Sequence, residues 1–292
     1  EILSMEVTRW AFNVTNWSPT EEEWQSLNNK ISKVEAERIS KFFFKSDAKL
    51  SMGGRLLIQK FVALNAKKLE IEDLSSIPSK LGRTEKGKPY IIRSEENKKK
   101  FFIDFNVSTA GDYVIFAGIA GDATEENYCI GVDVMKLEIR GRDKNQQNFF
   151  ASLKSGFTEI EWNDIKHFSE PKIQLQKFYE RWTLKESYIK AVGIGLGLDL
   201  QIIRFEVPLE PRKIGEIDTS PELFKDNLIQ DFWFFEQHRL NETHVAAVSF
   251  GPPSDCEKEY FKHQFYKNIT CTAKYSGLPQ QFIFLDVSQL QQ

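Results

Sequence analysis

Apolar positions between Leu175 and Gly193 recur with the period of a helix. On a wheel of roughly 100° per residue centred on Trp182, Leu175, Phe178, Tyr179 and Ile189 fall within about 60° of it, a stripe carried by about five turns. The segment follows Pro171 and closes at Gly193, a residue suited to a left-handed C-cap. Glu186 lies inside the stripe, between Leu175 and Tyr179, where an apolar residue is expected. A buried carboxylate without a partner is costly, so Glu186 needs a cation, a proton or a strong donor. Lys190 stands one turn later at the edge of the same face. The plain alternative is a surface Glu–Lys pair four residues apart, worth about 0.3–0.5 kcal/mol.

Thr8–Val14 alternates as a strand, and Ser18 then caps a helix with Pro19 in its first turn and Glu21 at the capping-box position. A second helix runs from Val34 towards Phe43. A third, Asp47 to Lys67, carries Leu50, Leu57, Phe61 and Leu64 on one face. Gly53 and Gly54 let something approach its backbone closely, whereas Arg55, read alone, is a solvated charge. Phe101–Ile119 reads as strand, polar turn, strand. Asn106, Ser108 and Thr109 are placed at the turn and Gly111 is free to take a positive φ. Gly121–Asn127 is a polar break. In the strand Tyr128–Met135, Ile130, Val132 and Val134 share one face, so Asp133 points to the other with Cys129, Gly131 and Met135. Helices near Asn145–Leu153 and Glu159–His167, the latter opened by Thr158, precede the central one. Strands are expected at Asp199–Val207, Leu228–Leu240 and His244–Phe250, the last two as a hairpin. The glycines of Gly193–Gly197 close a helix instead of opening one, the wrong order for a dinucleotide loop.

The whole chain of 292 residues is 41% hydrophobic and 13% aromatic, with 24 phenylalanines, a globular composition with a bulky core. A net charge of −3 argues against a nucleic-acid binder relying on an overall basic field, though not against a local basic groove. Cys129, Cys256 and Cys271 make no CxxC spacing and read as reduced thiols. No apolar run approaches the roughly 20 residues of a membrane span, and no cationic-then-apolar leader opens the chain. After residues 1–4, Met5 is expected as a natural start. The expectation is a cytoplasmic protein, in which the Asn268–Thr270 sequon is inert.

Two stretches carry candidate chemistry beside the central helix. In Leu81–Tyr90, three cations alternate with two glycines and the stiffening Pro89, so backbone amides, Arg83, Lys86 and Lys88 could line an anion cradle. It is not a P-loop, and a solvated hairpin turn is the other reading. The nearby Lys98–Lys100 run reads as plain loop. Aspartate is disfavoured within a strand, which singles out Asp133, although a strand-end Asp capping a turn is the alternative. Together Asp133 and Glu186 offer hard oxygens for Mg²⁺, which takes one or two carboxylates plus waters and substrate phosphates. Met135 is too soft to join them. No histidine has metal-ligand spacing, and no Ser-His-Asp set stands out. The segment after Pro252-Pro253 is turn-rich, ends in an apolar Phe282–Val287, and carries no functional clue.

Gly87-Lys-Pro89 followed by Phe105-Asn-Val-Ser108, then Ile130-Gly-Val-Asp133, then Trp182-Thr-Leu-Lys-Glu186-Ser-Tyr-Ile-Lys190-Ala resembles the Sfp-like 4′-phosphopantetheinyl transferases, from about Val7 to Phe250. The resemblance implies an α/β (α+β) fold of two pseudo-symmetric halves, at 1–124 and 125–251, followed by an extension of unknown role at 252–292. It implies Mg²⁺ and coenzyme A between the halves, and transfer of 4′-phosphopantetheine from coenzyme A to a serine of acyl or peptidyl carrier domains. Carriers of a fatty-acid synthase and of the aminoadipate-semialdehyde pathway enzyme are candidates. By carry-over, Asp133 and Glu186 would hold the metal, Glu186 would act as base, and Lys190 would stabilise the departing phosphate. Arg55, Arg83, Thr84, Glu85, Lys86, Gly87, Lys88, Asn106, Val107, Ser108, Thr109 and Lys185 would complete the coenzyme contacts. Two positions depart from the pattern: Thr109 replaces a histidine common in the family, and Met135 replaces a second acid of several bacterial members. A monomer is expected, with no nucleic-acid or membrane partner. A non-catalytic module that binds coenzyme A or a carrier domain is the alternative.

Overall fold

The alternation at Thr8–Val14 is a strand, β1 (Glu6–Asn13), and the N-terminal part of the fold is laid around it. The computed structural model describes residues 6–122, 128–139, 141, 144–252 and 280–291, in two units that are each mixed α/β. Residues 1–4, the boundary at 124/125, Cys256, Cys271 and the sequon lie outside them.

In unit 1, α1 (Glu21–Asn29) opens on Thr20, two residues later than expected. Thr20 Oγ1 accepts from the Glu23 amide at 3.2 Å and Glu23 Oε2 accepts from the Thr20 amide at 2.7 Å, a capping box with all three glutamates in the positive first turn. Next come α2 (Lys33–Ser40), capped by Ser32, and α3 (Lys45–Leu64). Gly53 and Gly54 are where α3 meets its sheet: a Cβ at Gly53 would press on Phe12 and Val114, and one at Gly54 on Val107. What approaches the helix there is therefore protein. Leu50, Leu57 and Phe61 are buried as the pattern requires, but Leu64, at the last turn, is 67% exposed. After α4 (Ile77–Lys80), the hairpin of β2 (Leu81–Arg83) and β3 (Pro89–Ile91) carries the basic loop. The Lys98–Lys100 run forms the last turn of α5 (Glu95–Lys100) instead of a loop, where cations suit the helix dipole.

The strand–turn–strand follows as β4 (Phe101–Ala110) and β5 (Tyr113–Asp122), with Ala110 opposite Tyr113 and Gly111 at φ +57°. The turn is thus Gly111-Asp112, and Asn106, Ser108 and Thr109 are strand residues. Alternation then divides them. Val107 faces α3 through Gly54, so Thr109 shares the α3 face, while Asn106 and Ser108 lie buried on the opposite one.

Unit 2 begins with β6 (Cys129–Lys136), followed by α6 (Gln146–Ser152), α7 (Glu159–Lys166) and α8 (Pro171–Val192). Then come β7 (Ile203–Glu206), β8 (Ile217–Asp218), β9 (Glu222–Lys225), β10 (Leu228–Ile229), β11 (Phe234–Arg239) and β12 (His244–Gly251). One sheet has the order β6-β12-β11-β8 and a smaller one β10-β9-β7. The strand expected over Leu228–Leu240 breaks at a turn, closed by the Trp233 amide on Gln230 O at 3.1 Å, and its pieces join different sheets. The C-terminal apolar residues form β13 (Ile283–Leu285) and α9 (Val287–Gln291). β13 pairs in parallel with β1, giving unit 1 a sheet of order β13-β1-β5-β4, so these residues are an integral edge strand of that unit.

Candidate functional site

In unit 2 the site is set by how closely α8 lies on its sheet. Gly131 is the point of closest approach: a Cβ there would collide with the Ser187 carbonyl and the Ala191 amide of α8. Beside it Ser249, paired in register with Gly131, shares a hydrogen bond with Ser187 (Oγ to Oγ 2.5 Å). Two residues along β6, on the same face, stands Asp133, opposite Ala247. Small residues under the helix thus bring its side chains down to an acid. Lys190 Nζ donates to Asp133 Oδ1 at 2.6 Å, and Asp133 is 4% exposed. Glu186, one turn before Lys190, is half-buried. Burial pushes its pKa up, the Asp133 charge pushes it further, and Lys190 opposes both. The surface Glu–Lys pair is therefore not what forms: Lys190 meets the buried aspartate, and Glu186 faces a like charge.

Two carboxylates near enough to repel, with an ammonium beside them and no thiolate or imidazole among the described residues there, fit a hard divalent ion such as Mg²⁺. Among the described residues no group of three or more His, Cys, Asp or Glu gathers, so waters and substrate oxygens would fill the remaining positions. Met135, on the same strand face, packs against the cluster of Phe150, Phe157, Trp162, Phe178 and Tyr179. An acid there would lie half-buried against rings.

In unit 1, Arg55 is 6% exposed, which overturns its reading as a solvated charge. It and Arg83 meet on Glu35 Oε1, Arg83 Nε at 2.7 Å and Arg55 Nη1 at 3.3 Å, while Arg38 Nε donates to Oε2 at 2.9 Å. Burial and the Arg83 charge bring the Arg55 pKa down to about 9, although Glu35 works against that shift. Arg83 Nη1 also donates to Gly87 O at 2.9 Å, and Thr84 closes the loop by exchanging backbone hydrogen bonds with Lys88 and Gly87. Gly87 takes φ +90° in this turn, and Glu85 and Lys86 are exposed at its tip.

Two expected coenzyme contacts are occupied otherwise. Lys88 Nζ sits 2.6 Å from Asp104 Oδ2 in a buried ion pair. Lys185, 1% exposed, lies 2.8 Å from Glu161 and donates to the carbonyls of Leu200 and Ile203 at 3.0 and 2.9 Å. It turns into the interior of unit 2 to satisfy the carboxylate that also caps α7. The structure thus gathers Asp133, Glu186 and Lys190 in unit 2 and Arg55 with Arg83 in unit 1. Glu35 and Arg38 were missed, because on sequence alone they are ordinary charges of an ordinary helix.

Comparison with known proteins falls on both units. A family model described as "4′-phosphopantetheinyl transferase, N-terminal" matches residues 15–121, and one described as "4′-phosphopantetheinyl transferase superfamily" matches residues 129–249. The chain is 39% identical over 250 residues to the human L-aminoadipate-semialdehyde dehydrogenase-phosphopantetheinyl transferase, covering 86% of this chain and 76% of that protein. The mouse protein of the same name is 37% identical over 264 residues, 89% and 80% of the two chains. A phosphopantetheinyl transferase of Thraustochytrium sp. is 34% identical over 249 residues, 83% and 78%.

Proposed function

The chain belongs to the 4′-phosphopantetheinyl transferase superfamily, and from that premise we propose that Asp133, Glu186 and Lys190 carry the transfer and that it depends on Mg²⁺. The activity is the movement of 4′-phosphopantetheine from coenzyme A to a serine hydroxyl of a carrier-protein domain. The observation that carries the assignment of residues is the half-buried Glu186 one turn from Lys190, whose Nζ donates to the buried Asp133 at 2.6 Å. A carboxylate there can accept a hydroxyl proton, directly or through a water. Glu186 takes the proton of the carrier serine. The serine Oγ then bonds to the phosphorus next to the pantetheine arm, the bond from that phosphorus to the bridging oxygen breaks, and adenosine 3′,5′-bisphosphate leaves. Lys190, freed to choose between Asp133 and a phosphate, offsets the charge that grows on the leaving group. Asp133 and Glu186 are the residues that would hold Mg²⁺, which when bound supplies charge neutralisation of the pyrophosphate. Arg55, Arg83 and the Thr84–Lys86 loop hold the coenzyme's phosphates, with Thr109, exposed on β4, as an uncharged donor.

We place the protein in the cytoplasm as a monomer serving acyl or peptidyl carriers. Among the described residues no helix is long and apolar enough to cross a membrane, and the buried Cys129 thiol donates to the Gly251 carbonyl at 3.2 Å. The assignment is tested by the mass of an apo-carrier domain incubated with coenzyme A and Mg²⁺. Modification by the wild type and none by Glu186→Gln is the expected result, and equal modification by both defeats it.

A further inference from the structure

Three guanidiniums converge on one carboxylate in unit 1. Glu35 and Arg38 come from α2, Arg55 from the middle of α3 and Arg83 from β2. Glu35 uses both oxygens on them, at 2.7 Å to Arg83, 2.9 Å to Arg38 and 3.3 Å to Arg55. The arginines are held at their far ends as well: Arg38 Nη2 donates to Ser51 Oγ at 2.6 Å, and Arg83 Nη1 to Gly87 O at 2.9 Å. One carboxylate leaves the cluster with two positive charges in excess. The Arg55 side chain is 8% exposed, and its Nε has no hydrogen-bond partner among the described residues. A buried donor without an acceptor, next to excess positive charge, is an arrangement an anion would complete. Without Glu35, three like charges would push one another out of this half-buried spot.

We propose that Glu35 is a positioning residue: it draws Arg55 and Arg83, from separate elements, into one set of forks whose remaining N–H groups receive a phosphate of coenzyme A, and does not itself touch the ligand. The inference rests on the reading that Arg55 and Arg83 hold the coenzyme. Burial pushes the Glu35 pKa up, but the Arg83 hydrogen bond, the Arg55 and Arg83 charges and the Arg38 hydrogen bond hold it down at about 2, so the carboxylate is charged throughout any working pH. Its pull on the arginines is therefore constant.

The test is steady-state transfer to a carrier domain by Glu35→Gln, Arg83→Gln and the double variant, with folding checked by circular dichroism. Glu35→Gln keeps the shape and removes the charge, so KM for coenzyme A should rise about tenfold while kcat stays within about twofold. The increase should be clearly smaller in the Arg83→Gln background, where one of the two held arginines is gone. If Glu35→Gln does not fold, Glu35→Asp decides instead: its shorter reach should raise KM several-fold with kcat kept, and an unchanged KM overturns the proposal. If Arg83→Gln raises KM but Glu35→Gln leaves it unchanged, lowers it, acts through kcat or acts additively, the positioning role of Glu35 falls and the coenzyme reading survives. If Arg83→Gln leaves KM unchanged, the coenzyme reading of the arginines falls, and this proposal with it.

Discussion

Glu186 is destabilising where it stands. Burial and the Asp133 charge both favour its protonated form, with Lys190 only partly compensating. Because its folded-state pKa lies above the unfolded one, the folded protein binds this proton more tightly. The associated stability is full at pH below the unfolded value and is lost as pH rises through the folded value. Glu186→Gln, neutral at every pH, should therefore melt about 2–4 °C higher than the wild type at pH 7 in the presence of a chelator. The same change should lower kcat by about 10²–10⁴-fold, the usual worth of a general base. Thermal melts in the chelator and steady-state rates with Mg²⁺ check both halves. A lower melting temperature for the variant would mean that Glu186 is a structural partner rather than a strained functional group.

At the scale of elements, α8 and β6 make the unit 2 site together, and Gly131 controls the spacing. Gly131→Ala drives a methyl into the α8 backbone, so a loss of about 3 kcal/mol or more is expected in urea unfolding, with kcat reduced as Glu186 and Lys190 move off Asp133. A neutral effect would show that the close approach does not set the site. Lys185 separates structure from ligand binding on the same helix. Lys185→Met leaves Glu161 charged and buried, which should cost about 3–5 kcal/mol in unfolding while KM for coenzyme A per folded molecule stays unchanged. A raised KM would return Lys185 to the coenzyme. The boundaries of α7 and α8 were well marked in the sequence, since Thr158 caps through neighbours a few residues away, Pro171 suits the first helical position, and Gly193 takes φ +74° as a C-cap glycine should. The sidedness of α8 was not. Glu180, Arg181 and Lys185 look solvated on a wheel but are buried, because their partners Arg212, Asp164 and Glu161 lie outside the helix, and Lys177 beside Glu180 is buried with its Nζ on the Pro208 and Glu210 carbonyls. No local pattern announces a partner that far along the chain.

Over the whole molecule, the sequence disclosed the strands that alternate and the acid that sits where an apolar residue belongs. It concealed what depends on tertiary pairing. Asp133 could be singled out because aspartate within a strand is out of place, and Glu186 because it interrupts a stripe. Glu35 violates no rule on α2, and only the fold brings it beneath Arg55 and Arg83. The apolar Phe282–Val287 similarly gave no hint that it completes a sheet whose neighbouring strand, β1, opens the chain. The central claim is that Asp133, Glu186 and Lys190 perform a Mg²⁺-dependent transfer of phosphopantetheine. The most direct test is the intact mass of an apo-carrier domain after incubation with coenzyme A and either the wild type or Glu186→Gln, each with Mg²⁺ and with a chelator. The account predicts one added phosphopantetheine only for the wild type with Mg²⁺. Modification by Glu186→Gln at the wild-type rate, full activity in the chelator, or no modification by the wild type on any carrier would contradict it.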